Sequence, residues 1–138
     1  MIYLGKILSK NDLHIYIFNG EQLTDPYYIS YTIFDYTTGS KEIIRQTINS
    51  IPMKFDIGSY FVPLRIDPLI FRVGRHIIQW NIKQYYDSAI NTYLQDFYVS
   101  RQAFYAGEFC RSTYPDTTLT EPINNPVLVK FTELPAVV

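Results

Sequence analysis

Two histidines, one cysteine and a scatter of aspartates are the residues on which any catalysis by this chain would rest. A hydrolytic triad needs a serine or cysteine within hydrogen-bond reach of an imidazole, with a carboxylate behind it. His14 and His76 both fall inside runs that alternate apolar and polar residues, and neither adjoins a nucleophile motif. There is no GxSxG, no phosphate-cradling glycine loop and no HExxH. Cys110 precedes Arg111, a neighbour able to favour a thiolate, but the plainer expectation is a small side chain in a packed segment. Asp35, Asp56, Asp67, Asp87 and Asp96 stand at or near strand ends and turns, where aspartate hydrogen-bonds the local backbone. Nothing marks two of them as facing each other across a cleft, as glycoside hydrolysis requires, and no calcium-loop spacing is present. No catalytic, cofactor-binding or metal-binding residue is assigned, and the expectation is a protein that is not an enzyme.

Aromatic residues are the other candidates. The chain has 13 Tyr, 9 Phe and a single Trp, Trp80. Tyr27-Tyr28, Tyr85-Tyr86 and Tyr105 offer flat apolar faces with polar tips, suited to a sugar ring or to a protein interface. Adjacent residues of a strand point to opposite faces, so only one of each pair can line a given patch. Interface is the preferred reading over carbohydrate, and sheet packing over both for any single tyrosine.

The elements that would position these residues read as strands. DLHIYIF alternates Leu13, Ile15 and Ile17 with His14, Tyr16 and Phe18, and stops at Asn19-Gly20. YYISYTIFDY places Ile29, Tyr31 and Ile33 on one face. KEIIRQTI reads as a charged edge strand, although Ile44, Ile48 and Ile51 also fit an amphipathic helical turn. SYFVPLRI puts Tyr60, Val62 and Leu64 on one face, with Pro63 pointing to an edge or a bulge. GRHIIQWNIK aligns Ile78, Trp80 and Ile82, and NTYLQDFYV aligns Tyr93, Gln95, Phe97 and Val99. With a short strand within Met1–Leu8, this makes about seven strands at the turn spacing of a β-sandwich.

Composition narrows the class. Twelve basic and thirteen acidic residues give a net charge of -1, with no basic stripe for phosphates, so no nucleic-acid partner is expected. No signal peptide is recognised in MIYLGKILSKND, and no apolar run nears the roughly 20 residues that span a bilayer, so no membrane partner is expected either. One cysteine cannot close an internal disulfide.

Beyond Ser100 the texture changes to prolines, threonines and asparagines, with alternation returning only at Val127–Phe131. Phe104, Tyr105, Phe109, Tyr114, Leu119 and Val127 all call for burial, since a free arm this apolar would be a liability. The segment either wraps its own domain or lies on a neighbouring subunit. The second is expected, because a seven-strand sandwich is already complete at Val99. The chain is thus divided into an N-terminal strand or arm (1–11), a sandwich domain (12–100) and an extended C-terminal arm (101–138), the arm carrying the six interaction candidates.

The order of turns and core positions also resembles a known group. Asn19-Gly20, Thr24-Asp25-Pro26, ISYTIFD, Gly58-Ser59-Tyr60, Val73-Gly74-Arg75 before IIQW, and a closing DFYV follow one another from Asp12 to Val99. This resembles the immunoglobulin-like sandwich modules of bacterial surface and tailed-phage virion proteins, without the cysteine pair of antibody domains. The resemblance implies a virion structural subunit of neck, tail, baseplate or capsid decoration, assembled in the host cytoplasm with other virion proteins or copies of itself into an oligomer. It carries over no functional residue. A carbohydrate- or receptor-binding adhesin module is the alternative. The expected core is Ile29, Tyr31, Ile33, Tyr60, Val62, Ile78, Trp80, Ile82, Phe97 and Val99.

Overall fold

A computed structural model describes residues 1–101 and 126–131. Among these residues the chain is all-β, with one three-residue 3-10 turn at Arg45–Thr47 and no α-helix. The strands are β1 (Ile2–Tyr3), β2 (His14–Asn19), β3 (Gln22–Leu23), β4 (Tyr28–Asp35), β5 (Glu42–Ile43), β6 (Met53–Asp56), β7 (Ser59–Phe61), β8 (Gly74–Lys83), β9 (Asn91–Ser100) and β10 (Val127–Phe131). They form two sheets, ordered β1-β9-β8-β4-β5 and β10-β2-β7-β6, with β3 paired to β2. The architecture is a two-sheet β-sandwich.

Alternation dictates the packing. In β8, His76, Ile78, Trp80 and Ile82 share the inward parity and are all fully buried, while Arg75 and Lys83 stay accessible. Antiparallel pairing with β4 sets Tyr31 opposite Trp80 and Ile33 opposite Ile78. The Tyr31 and Trp80 rings meet edge to face at 5.9 Å. From the second sheet, Leu13, Ile15 and Ile17 close the core from the other side, each 0% exposed. The ten residues expected in the core are all buried. Ile2, Leu8, Ile66, Phe71, Val129 and Phe131 join them.

Two local readings are corrected. KEIIRQTI is a strand only at Glu42–Ile43, after which Arg45–Thr47 makes the 3-10 turn. The cause is the edge of β4: Thr47 Oγ accepts the Ile33 N–H at 2.8 Å, and Ser50 and Tyr31 exchange backbone hydrogen bonds at 2.8 and 2.9 Å. The chain here follows β4 with a side chain standing in for one ladder partner. Pro63 does not place its strand at an edge. β7 stops at Phe61 and lies between β2 and β6, and the Val62 N–H makes the last bond to Leu13 before the donor-less proline. MKFD is strand β6, joined to β7 by a tight turn at Gly58.

The N-terminal segment is stitched to its own domain. β1 pairs in parallel with Val99 and Ser100 of β9, and Gly5 and Leu8 donate to the Ile66 and Leu64 carbonyls. A buried Asp12 carboxylate holds the bend, accepting from the Lys6 ammonium at 2.7 Å and from the Ser9 N–H at 2.8 Å.

The described part of the C-terminal segment also belongs to this sandwich. β10 lies in parallel beside β2, Val127 opposite Ile15 through Phe131 opposite Asn19. A sandwich completed by Val99 alone would leave that side of β2 without a partner among the described residues, so the expectation that this stretch lies only on a neighbour is corrected for 127–131.

Candidate functional site

Three places bring together residues that could carry a function. The first is where an imidazole meets a carboxylate. His76 Nδ1 lies 3.0 Å from the Gly74 carbonyl, which can only accept, so Nδ1 carries the proton. Among the described residues Nε2 has no hydrogen-bond partner, and it stands 3.8 Å from Asp35 Oδ2. The ring is stacked on Phe97 at 5.3 Å and tilted against Phe71 at 5.6 Å. Burial pushes the His76 pKa down, only partly offset by the Gly74 carbonyl and Asp35, so the ring is neutral near pH 7. Burial alone would raise the Asp35 pKa, but Thr37 donates to Oδ1 from its N–H at 2.7 Å and its hydroxyl at 2.6 Å. These bonds, with His76 and Arg72 nearby, leave it lowered. Neither His76 nor His14, whose Nδ1 faces the Asp12 carbonyl two residues back at 3.3 Å, hydrogen-bonds a hydroxyl or thiol among the described residues. Among the described residues the Asp35–His76 pair has two members of a relay and meets no nucleophile. Its chemistry is to fix the start of β8 against the end of β4.

A second carboxylate, Asp25, gathers three donors: the Lys54 ammonium at 2.7 Å, the Gly58 N–H at 2.8 Å and the Tyr60 hydroxyl at 2.9 Å. The Lys54 hydrogen bond, then that of Gly58, holds its pKa below the usual value. Burial and the adjacent Asp25 push the Tyr60 hydroxyl up. This cluster clips the β6–β7 turn to the segment before β4. Among the described residues no group of three or more His, Cys, Asp or Glu is placed to hold a metal ion.

The second place is one pole of the sandwich. Tyr27, just before β4, and Tyr86, in the β8–β9 turn, are 56% and 75% exposed and meet edge to face at 5.5 Å. Tyr85 beside them is also exposed, and its turn is closed by Ser88, whose hydroxyl accepts from the Tyr85 N–H at 2.9 Å. Of the tyrosines singled out as a platform, the structure brings Tyr27, Tyr85 and Tyr86 to the same pole. Tyr28 turns away, donating to Ser30 at 2.9 Å. Tyr105 lies outside the described residues.

Third is the edge of the second sheet formed by β10. Val129 is 0% exposed and Phe131 5%, both in the core cluster, while Leu128 is 58% exposed and Lys130 also faces solvent. Val127 is half-buried against the core. Of the six interaction candidates, only Val127 is placed; Phe104, Tyr105, Phe109, Tyr114 and Leu119 lie outside the described residues. Val129 and Phe131 were not singled out, although the alternation of VLVKF was the signal that could have found them. No α-helix long and apolar enough to cross a membrane occurs among the described residues. Comparisons with protein-family models, curated proteins and solved structures find no match to this chain.

Proposed function

We propose that this chain is a non-enzymatic structural subunit of a tailed-phage particle, built on an immunoglobulin-like sandwich and assembling through its sheet edges and terminal segments. The observation that carries this reading is the strand order. On this reading, taken in chain order, β2, β4, β5, β6, β7, β8 and β9 would correspond to strands B, C, C′, D, E, F and G of an immunoglobulin-type sandwich. One sheet would then read G-F-C-C′, with β1 added beside G, and the other B-E-D, with β10 beside B on the side of strand A but running parallel to it. Filling that place from the C-terminus favours a module whose tail is part of its sheet and therefore also part of its contacts with neighbours. Edge pairing suits an assembling subunit, because main-chain hydrogen bonds supply affinity without special side chains. The absence of a charged stripe in a chain of net charge -1 fits protein partners better than nucleic acid.

Two measurements test the reading. Mass spectrometry and immunogold labelling of purified phage particles should find the chain in the particle at a defined position. Light scattering of the isolated protein, or of the protein with its particle neighbours, should find a defined oligomer. A chain that stays in the unassembled fraction and remains monomeric with every particle component overturns it. The Tyr27–Tyr86 pair favours a second reading, a carbohydrate- or receptor-binding adhesin module, since it exposes two aromatic rings at one pole. Binding of host polysaccharide in native mass spectrometry, lost in Tyr27→Ala and Tyr86→Ala, would support that reading in place of the first.

A further inference from the structure

The strand β10 combines three properties. It is an edge strand whose one partner among the described strands is β2, and the pairing is parallel over five residues, Val127 to Phe131. It inserts alternate side chains into the core: Val129 and Phe131 are buried, whereas Leu128 and Lys130 point outward. It is also separated from Arg101 along the chain by 25 residues, 102–126.

From these we propose that the groove along β2 is an exchange site, which in the assembled state receives β10 from a second copy of this chain. The inference rests on the assembly reading above and names its contact. The groove's chemistry is specific. It presents the ladder groups of Ile15–Asn19 and the flank of a core containing Ile15 and Ile17, each 0% exposed. What fits is an extended strand with apolar residues two apart, and β10 is such a strand.

Length permits the exchange. A connection of 25 residues (102–126) reaches at most about 85–90 Å at the maximal span per residue. A domain of this size has a radius of gyration of only about 14 Å. The strand can therefore reach the groove of an adjacent copy with every strand–groove contact unchanged. Exchange of an identical element is for this reason a low-cost route to association.

The balance between closed and exchanged forms is set by concentration, because the strand–groove contacts are the same in both. A linker that spans its two sites gives an effective concentration on the order of 1 mM. At about 10 μM chain, roughly one groove in a hundred then holds a partner's strand, whereas at about 1 mM the share approaches half. Inside a particle, where copies abut, the local concentration reaches or exceeds that range. The closed form is the dilute monomer, and the exchanged form is the assembled one.

The test uses the opposed residues Tyr16 and Leu128, which face outward and share one register position. In a Cys110→Ser background, one preparation carries Tyr16→Cys and another carries Leu128→Cys. The two are mixed at about 10 μM and about 1 mM, and as the isolated oligomer, then oxidised and mapped by peptide mass spectrometry. A Tyr16→Cys, Leu128→Cys chain, locked within itself when dilute, calibrates the yield. Phe18 and Lys130, likewise opposed, serve as a second pair should the first disturb folding. Exchange predicts a disulfide between positions 16 and 128 of different copies, rising about fiftyfold across the two concentrations and enriched in the oligomer. An oligomer in which that linkage forms only within a chain overturns the exchange and leaves the assembly reading standing. A chain monomeric at every concentration and with every particle component, with no linkage between copies, overturns both.

Discussion

Truncating alternate residues of β10 measures how much of the sandwich it holds. Val129 is 0% exposed and Phe131 5%, whereas Leu128 between them is 58% exposed. Val129→Ala removes two methyl groups from the core, about 1.6 kcal/mol of transfer free energy at ~0.8 kcal/mol per carbon, and about 2 kcal/mol with the cavity left behind. Phe131→Ala should cost about 3–5 kcal/mol by the same reasoning. Leu128→Ala touches only solvent and the outer face, so its cost should stay within about 0.5 kcal/mol. In urea, with a slope of about 2 kcal/mol per molar for a domain of this size, the midpoints fall by roughly 1 M, 2 M and 0.25 M or less. The measurement is equilibrium unfolding at low micromolar protein, followed by the fluorescence of Trp80, which is fully buried and reports on the core directly. Equal costs for Val129→Ala and Leu128→Ala would refute the reasoning, because they would mean that β10 does not present one face to the core. Removal of the whole of 104–138 is expected to destabilise the sandwich, not to leave it intact, since the deletion uncovers Ile15 and Ile17 and the ladder groups of β2.

Trp80→Ala should cost about 3–5 kcal/mol, lowering the thermal midpoint by 10 °C or more, where a ligand-binding tryptophan would be lost at little cost; a circular-dichroism melt decides. Thr47→Val keeps the shape of a side chain 1% exposed but removes the acceptor of the Ile33 N–H, so chemical denaturation should show a loss of about 1–3 kcal/mol. Gly58→Ala should be destabilising by at least about 1–2 kcal/mol in the same assay, because Gly58 has φ of 66° and an added Cβ would lie 2.7 Å from the Ile17 carbonyl oxygen. His76 has a folded-state pKa below its ordinary 6.5, so in mild acid the unfolded chain binds a proton that the folded chain refuses. Stability should therefore fall as pH drops from 7 through 6.5 and below. His76→Phe should flatten that slope while leaving the later loss below about pH 4, where Asp25 and Asp35, whose pKa values are depressed on folding, take up protons.

What the chain shows before its structure is known follows from which forces are periodic. Burial in a two-layer sandwich repeats every second residue, so the runs around Tyr31, Tyr60, Trp80 and Phe97 announce their inward faces, and all ten core residues could be named from them. The same parity places His76 in line with Ile78 and Trp80, which explains why its ring is packed between phenylalanines and not poised in a cleft. Features set by single contacts are not periodic and were not legible. Ile44, Ile48 and Ile51 fit either a strand or a helical turn, and the choice is made by Thr47 and Ser50 bonding the edge of β4. Of the aromatic pole, the exposed pairs were visible as Tyr27-Tyr28 and Tyr85-Tyr86, but nothing local says that Tyr27 and Tyr86 meet at 5.5 Å. That contact depends on the β4–β8 register, which sets Tyr28 opposite Lys83.

The way each sheet is closed bears on where neighbours can attach. The outer side of β4 is occupied by the Thr47 hydroxyl and by Ser50, so a foreign strand meets donors and acceptors already used. The edge strand β6 has a register shift between Lys54 and Asp56, and Lys54 is tied to Asp25, two devices that spoil a regular ladder. β1 and β5 are two residues long, too short to template pairing. β10 differs in kind: it is regular over five residues, carries an exposed Leu128, and arrives at the end of a long connection. On the exchange proposed above, blunting these other edges would restrict edge-to-edge association to a geometry that the chain itself specifies. Such a restriction suits a subunit that must join copies in a single way.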